Sequence, residues 1–161
     1  MRFSIQFWYL VEIDKVIKQT KFVDGYQKAM INLFYTSNHF RDAHLPIFAK
    51  YKIQGQHFNL LRILNGKYPD PVSPGYIKDV MLDKGRDLTR LIDKLESLGW
   101  VNRFPCPENK RKMHIVLTAE GLKMVDIMSK ELAKKDAEMK TMSEEEYQLL
   151  SNLLDKMRNR P

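Results

Sequence analysis

Asp87-Leu88-Thr89-Arg90-Leu91-Ile92-Asp93-Lys94-Leu95-Glu96-Ser97-Leu98-Gly99-Trp100 is the stretch on which the reading of the fold turns. Leucine or isoleucine stands at 88, 91, 92, 95 and 98, the spacing of one face of an α-helix. Asp87 supplies an acceptor for the first-turn N–H groups, and Gly99 closes the helix. Just upstream, Leu82-Asp83-Lys84-Gly85-Arg86 reads as a short turn. Before that turn, Ser73-Pro74 opens another helix, serine as N-cap and proline at the first helical position, with Ile77, Val80 and Met81 as its apolar face. At Trp100 the period changes. Val101 to Phe104 reads as a strand, and Met113, Ile115 and Leu117 alternate with His114 and Val116 as a second one. Between them lies a polar tip, Pro105 to Lys112. The centre of the chain is therefore helix, turn, helix, hairpin.

Working outward, Asp24 to Lys52 reads as an aromatic-rich helix that Pro46 should bend or break. Phe58, Leu61 and Leu64 mark a second, short helix stopping at Asn65-Gly66, and Tyr68 to Val72 reads as a loop. Downstream, Thr118 can cap a helix to about Lys140 carrying Leu122, Val125, Met128 and Leu132. Ser143-Glu144-Glu145-Glu146 matches a capping box, and Leu150, Leu153, Leu154 and Met157 then give a last amphipathic helix. The expected class is mostly α with a small β-hairpin, an α+β winged helix-turn-helix with flanking helices.

A chain of 161 residues, 43% apolar and 29% charged, can build a core without staples; it is not collagen-like, disulfide-scaffolded or wholly disordered. Its one cysteine, Cys106, rules out an intrachain disulfide and fits a reducing, cytoplasmic location. The net charge of +7 is spread unevenly: +5 over residues 1–72, +3 over 73–118 and −1 over 119–161. Phe3 to Val11 is apolar but too short to span a membrane, and no small-residue cleavage site follows it, so an arm is expected rather than a signal peptide. His39 and His44 are five apart, not the four of a helical metal pair, so no metal is expected. Glycine-rich phosphate loops, Gly-x-Ser-x-Gly and His-Glu-x-x-His are all absent, so neither a catalytic residue nor a cofactor is expected.

A helix-turn-helix followed by a hairpin suits double-stranded DNA. A helix has the width of the major groove, and the N-terminal part of the second helix faces the bases. That places Arg86, Asp87, Thr89, Arg90 and Lys94 on the recognition helix, with Asp93 beside them. Arg103, Asn109, Lys110, Arg111 and Lys112 belong to the wing, suited to minor-groove or backbone contact. A solvated surface helix and a basic loop would carry the same residue types. A winged helix serving as a protein-interaction or dimer scaffold is the alternative, and a salt titration separates the two, because DNA affinity falls steeply with salt.

Several runs together carry a family resemblance. They are Phe58-Asn59-Leu60-Leu61-Arg62-Ile63-Leu64, Tyr76 to Met81, Leu88 to Val101, Asn109-Lys110-Arg111 and Leu117-Thr118-Ala119-Glu120-Gly121. They resemble the MarR family of bacterial transcription regulators, and with Tyr26 to Thr36 most of all its Bacteroidetes branch. The resemblance covers about residue 13 to the C-terminus. It implies a homodimer without membrane attachment, built as an arm and start of the first helix (1–23) and one domain (24–161). Within that domain, 54–118 would be the winged core, and 24–50 and 119–161 the dimerisation helices. It further implies a ligand-responsive repressor acting on a near-palindromic operator. Arg111 would be the minor-groove residue of an Asp-x-Arg element in which Asn109 replaces the aspartate. A small aromatic or lipophilic effector would sit against Phe34, Tyr35, Asn38, His39, Phe58 and Leu61, which would otherwise be plain core. Cys106 is misplaced for the cysteine oxidant sensing of some members.

Overall fold

The structure, a computed structural model, describes residues 11–85 and 87–159; the start of the expected arm and Arg86 lie outside the described residues. Among the described residues nine elements follow one another: α1 (Ile13–Val16), α2 (Gly25–Lys50), α3 (Gly55–Asn65), α4 (Pro74–Val80), α5 (Leu88–Ser97), β1 (Val101–Pro105), β2 (Met113–Leu117), α6 (Ala119–Met139) and α7 (Glu144–Arg158). This is the expected winged helix-turn-helix with flanking helices. Chain contacts fall into two compact units, 1–43 and 44–161, with the boundary inside α2.

The first unit holds α1, which was not anticipated, and most of α2. Ile13 is buried there, and Asp14 pairs with Lys28 at 3.8 Å. Along α2, Tyr26, Phe34, Tyr35 and Phe40 are exposed.

The second unit carries the core: Leu60, Leu61, Ile77, Leu95, Ile115 and Met128 are completely or almost completely buried. Each such side chain contributes about 1.5–3 kcal/mol by leaving water. The expected break at Pro46 does not occur; α2 runs through it to Lys50. The lost hydrogen bond costs about 3 kcal/mol, but the next residues anchor the last turn. Ile47 and Phe48 are buried, and the Phe48 ring lies 5.6 Å from that of Phe58. Lys50 Nζ and Tyr51 Oη each donate to the Glu131 carboxylate of α6 at 2.6 Å, and His44 Nε2 lies 2.7 Å from Asp136 Oδ1. The Lys50 bond first, then the Tyr51 bond, hold the Glu131 carboxyl below its usual value, and the same contact raises the Tyr51 hydroxyl.

The caps are where the sequence placed them. Ser73 accepts from the Tyr76 N–H at 3.2 Å, Asp87 from Arg90 at 3.3 Å, Thr118 from Gly121 at 3.0 Å and Ser143 from Glu146 at 3.3 Å. Gly99 takes φ +73°, the left-handed conformation that ends a helix without strain. Gly121 is required for a different reason: a Cβ there would meet the Trp100 carbonyl oxygen at 2.0 Å. Its N–H on the Thr118 cap and this close approach fix α6 against the foot of β1.

β1 and β2 pair antiparallel from Val101↔Leu117 to Pro105↔Met113. The segment read as a loop adds a third strand position: Val72 and Ile115 exchange both backbone hydrogen bonds at 2.9 Å. One residue of pairing leaves no periodicity to read. On α4 the expected face is split. Ile77 and Met81 are buried, but Val80 is the last helical residue, and the backbone turns extended at Met81 so that Val80 stays exposed. In α7 no residue is buried, and Leu149, Leu150, Leu153 and Met157 all face out.

His57, buried on α3, accepts the Gln54 N–H at Nδ1 (3.1 Å). Burial pulls its pKa below the ordinary 6.5, and the Lys94 charge adds to this. The folded chain therefore binds this proton less readily than the unfolded chain. Its contribution is complete above about pH 6.5 and is lost as pH falls through the lowered value. His57→Gln keeps an acceptor at this capping position. Urea midpoints measured at about pH 7.5 and about pH 5.5 are expected to drop less for the variant than for the parent.

Candidate nucleic-acid interface

α5 buries Leu91, Ile92 and Leu95 and turns Thr89, Arg90 and Asp93 outward. Arg90 is 87% exposed and is held at the N-terminal end of the helix by Asp87, whose Oδ2 lies 3.2 Å from Nε. Asp87 thus caps the helix with one oxygen and leashes the arginine with the other. A phosphate or a guanine edge reached by Arg90 would replace that carboxylate as its partner. Lys94 is half-buried, with its charge close enough to His57 to disfavour protonation of that ring.

Arg103 is turned inward to α5. Nη1 lies 2.9 Å from Asp93 Oδ1 and Nη2 2.8 Å from Glu96 Oε2. Its charge alone puts this side chain among the DNA-binding residues of the wing. Its geometry instead straps the base of the wing to the recognition helix. It also neutralises two carboxylates that would repel a phosphate backbone.

The wing tip is a closed turn. The Cys106 N–H donates to Lys112 O at 2.8 Å, Lys112 N–H to Asn109 O at 2.8 Å, and Asn109 N–H to Cys106 O at 3.2 Å. Asn109 Oδ1 accepts the Arg111 N–H at 3.1 Å, an Asx-type turn. The carboxamide therefore positions Arg111 through its backbone, which a neutral side chain does as well as an aspartate. Lys110, Arg111 and Lys112 are exposed, and among the described residues they enter no ion pair. Cys106 is a buried free thiol beneath the turn.

The expected effector residues fall in both units. Phe34, Tyr35, Asn38 and His39 are exposed along α2 in the first, while Phe58 and Leu61 fill the core of the second. Among the described residues no cluster of three or more metal-binding side chains occurs, and no helix is long and apolar enough to cross a membrane.

Two contacts of this site were not read from the sequence. One is the Arg103 strap. The other is Asn59 on α3, whose Oδ1 accepts the Leu82 N–H at 3.1 Å at the start of the turn before α5. A lone asparagine inside the apolar run Phe58-Asn59-Leu60-Leu61 was the available signal.

The MarR family model matches residues 80–113, the turn, α5 and most of the wing. The HTH-type transcriptional regulator PecS of Dickeya dadantii (strain 3937) is 30% identical over 113 residues, 69% of this chain and 68% of that one. Among solved structures, a MarR transcription factor from Planctomyces limnophilus superposes with a TM-score of 0.64 at 26% identity, covering 85% of this chain and 95% of that one. A mutant MarR from E. coli complexed with operator DNA does so with a TM-score of 0.61 at 26% identity, covering 80% and 92%.

Proposed function

The chain belongs to the MarR family, and on that footing we propose that it is a transcription regulator that binds a near-palindromic operator as a homodimer and represses from it in the cytoplasm. The observation that carries the proposal is the division of labour among the basic side chains. Arg103 is spent on bracing the wing, whereas Arg90, Lys110, Arg111 and Lys112 stand exposed on the two elements that enter a duplex. In this arrangement α5 lies in the major groove, and Thr89 and Arg90 meet bases or phosphates. The wing tip lies along the neighbouring minor groove with Arg111 at its edge. Arg86, outside the described residues, remains a candidate DNA contact by its place in the sequence before Asp87. The E. coli relative complexed with operator DNA supports the DNA-binding reading.

A single copy is incomplete. α7 leaves Leu149, Leu150, Leu153 and Met157 in water, and α2 leaves Tyr26, Phe34 and Tyr35. We assign 24–50 and 119–161 to dimerisation and 54–118 to the winged core. An isologous dimer would bury those faces and place two recognition helices about one helical turn of DNA apart. The effector reading rests on the aromatic side chains of α2. A small aromatic or lipophilic compound bound at the exposed Phe34, Tyr35, Asn38 and His39 would alter the spacing of the recognition helices and release the operator. Operator affinity measured across a panel of phenolic and lipophilic compounds tests this part, and a panel without effect removes it.

Arg90→Ala tests the docking of α5. The side chain is almost wholly exposed, so the fold is untouched, and its loss is expected to cost about 1–3 kcal/mol of operator binding. Fluorescence anisotropy on the selected operator at physiological salt measures it. Unchanged affinity takes α5 out of the interface.

A further inference from the structure

Leu82 is the most exposed large apolar side chain of the second unit, at 89%. A leucine at a free-swinging loop tip would need no explanation, but this one is held. Met81 beside it is buried in the core, and its N–H donates to Ile77 O at 2.9 Å. The Leu82 N–H itself is taken by Asn59 Oδ1 at 3.1 Å, from a different helix. At the next residue, Asp83 Oδ1 accepts the Gly85 N–H at 3.2 Å and closes the turn. The backbone leading into Leu82 is tied to α4 and α3, and the turn after it is closed on itself, while the side chain stands in solvent. The turn leads directly into Asp87 and the first turn of α5, the end of that helix that carries Thr89 and Arg90. An apolar group fixed at this place in water is uncompensated until something apolar meets it. The apolar feature of a major groove is the C5-methyl group of thymine.

We propose that Leu82 is a specificity-determining residue that reads a thymine methyl group in each operator half-site, with Asn59 as its positioning residue. The inference rests on the DNA-binding reading above. It adds a preference that the charged residues do not supply, since Arg90, Lys110 and Arg111 recognise phosphates or hydrogen-bonding edges.

The test uses the full-length chain and the operator it selects from a random pool. Each thymine of the operator is replaced in turn by uracil, which removes the methyl group and keeps every hydrogen-bonding group. At one position per half-site the parent is expected to lose about fourfold in affinity per half-site, the equivalent of one buried methyl group. Leu82→Ser is expected to bind the thymine operator as weakly as the parent binds the uracil operator, and to be indifferent to the exchange. Asn59→Ala is expected to reduce the same discrimination while leaving affinity for random duplex unchanged. If Leu82→Ser is without effect, weakens operator and random duplex equally, or changes the oligomeric state instead, the assignment is overturned while the DNA reading stands. A chain that enriches no sequence overturns both.

Discussion

Replacing Leu150 and Leu153 together by glutamate is expected to leave a folded monomer and to lower operator affinity by about 10²–10⁴-fold. The two side chains project from α7 into water at 45% and 53% exposure, and no residue of α7 is buried. Nothing in the core of the chain therefore depends on them. α7 is nonetheless well made, with a reciprocal capping box between Ser143 and Glu146 and three acidic residues in its first turn. Such a helix, apolar on one side with no residue buried, presents the face that the proposed second copy would cover. Four charges introduced across a two-fold contact would be buried without partners, so the contact opens. The affinity loss follows because the second half-site no longer binds at the high effective concentration set by the first. Sedimentation equilibrium and far-UV circular dichroism check the two halves of the prediction. A stable dimer in the double variant removes α7 from the interface.

Arg111→Ala is expected to weaken operator binding by about 10- to 100-fold while dimer and fold are unchanged. The guanidinium is exposed at the wing tip and enters no ion pair among the described residues, so its removal costs the free protein nothing. The turn beneath it survives, because Asn109 holds the backbone N–H of residue 111 rather than the side chain. Two arginines are lost per dimer. The slope of log affinity against log salt should therefore become shallower by about 2, if both neutralise phosphate or minor-groove potential. Lys110 and Lys112 do not replace it, because a compact ammonium lacks the planar fork that fits a narrow groove. Equal affinity at physiological salt would take the wing out of the mechanism.

What could be read in the sequence was whatever depends on local periodicity and capping. The 88, 91, 92, 95, 98 pattern, the Ser73, Asp87, Thr118 and Ser143 caps and the alternation of 113–117 each reflect physics within one turn or one strand, and each element stands where that physics put it. What could not be read depends on neighbours distant in the chain. Pro46 stays helical because Phe48 meets Phe58 and Tyr51 meets Glu131. Val72 pairs with Ile115 across 43 positions. By residue type Arg103 is one more wing cation, but Asp93 and Glu96, ten and seven positions upstream, hold it. Residue type and charge suggested a basic surface, and only the folded geometry separates the arginine that braces from those that are free to bind.

Selection of bound sequences from a random double-stranded pool, followed by a salt titration of the winner, bears most directly on the central claim. The account predicts a near-palindrome whose two half-sites lie about 10 base pairs apart, with affinity that falls steeply as salt rises. A pool that shows no enrichment, or binding that is weak and indifferent to both sequence and salt, would contradict it and leave a dimeric winged-helix scaffold.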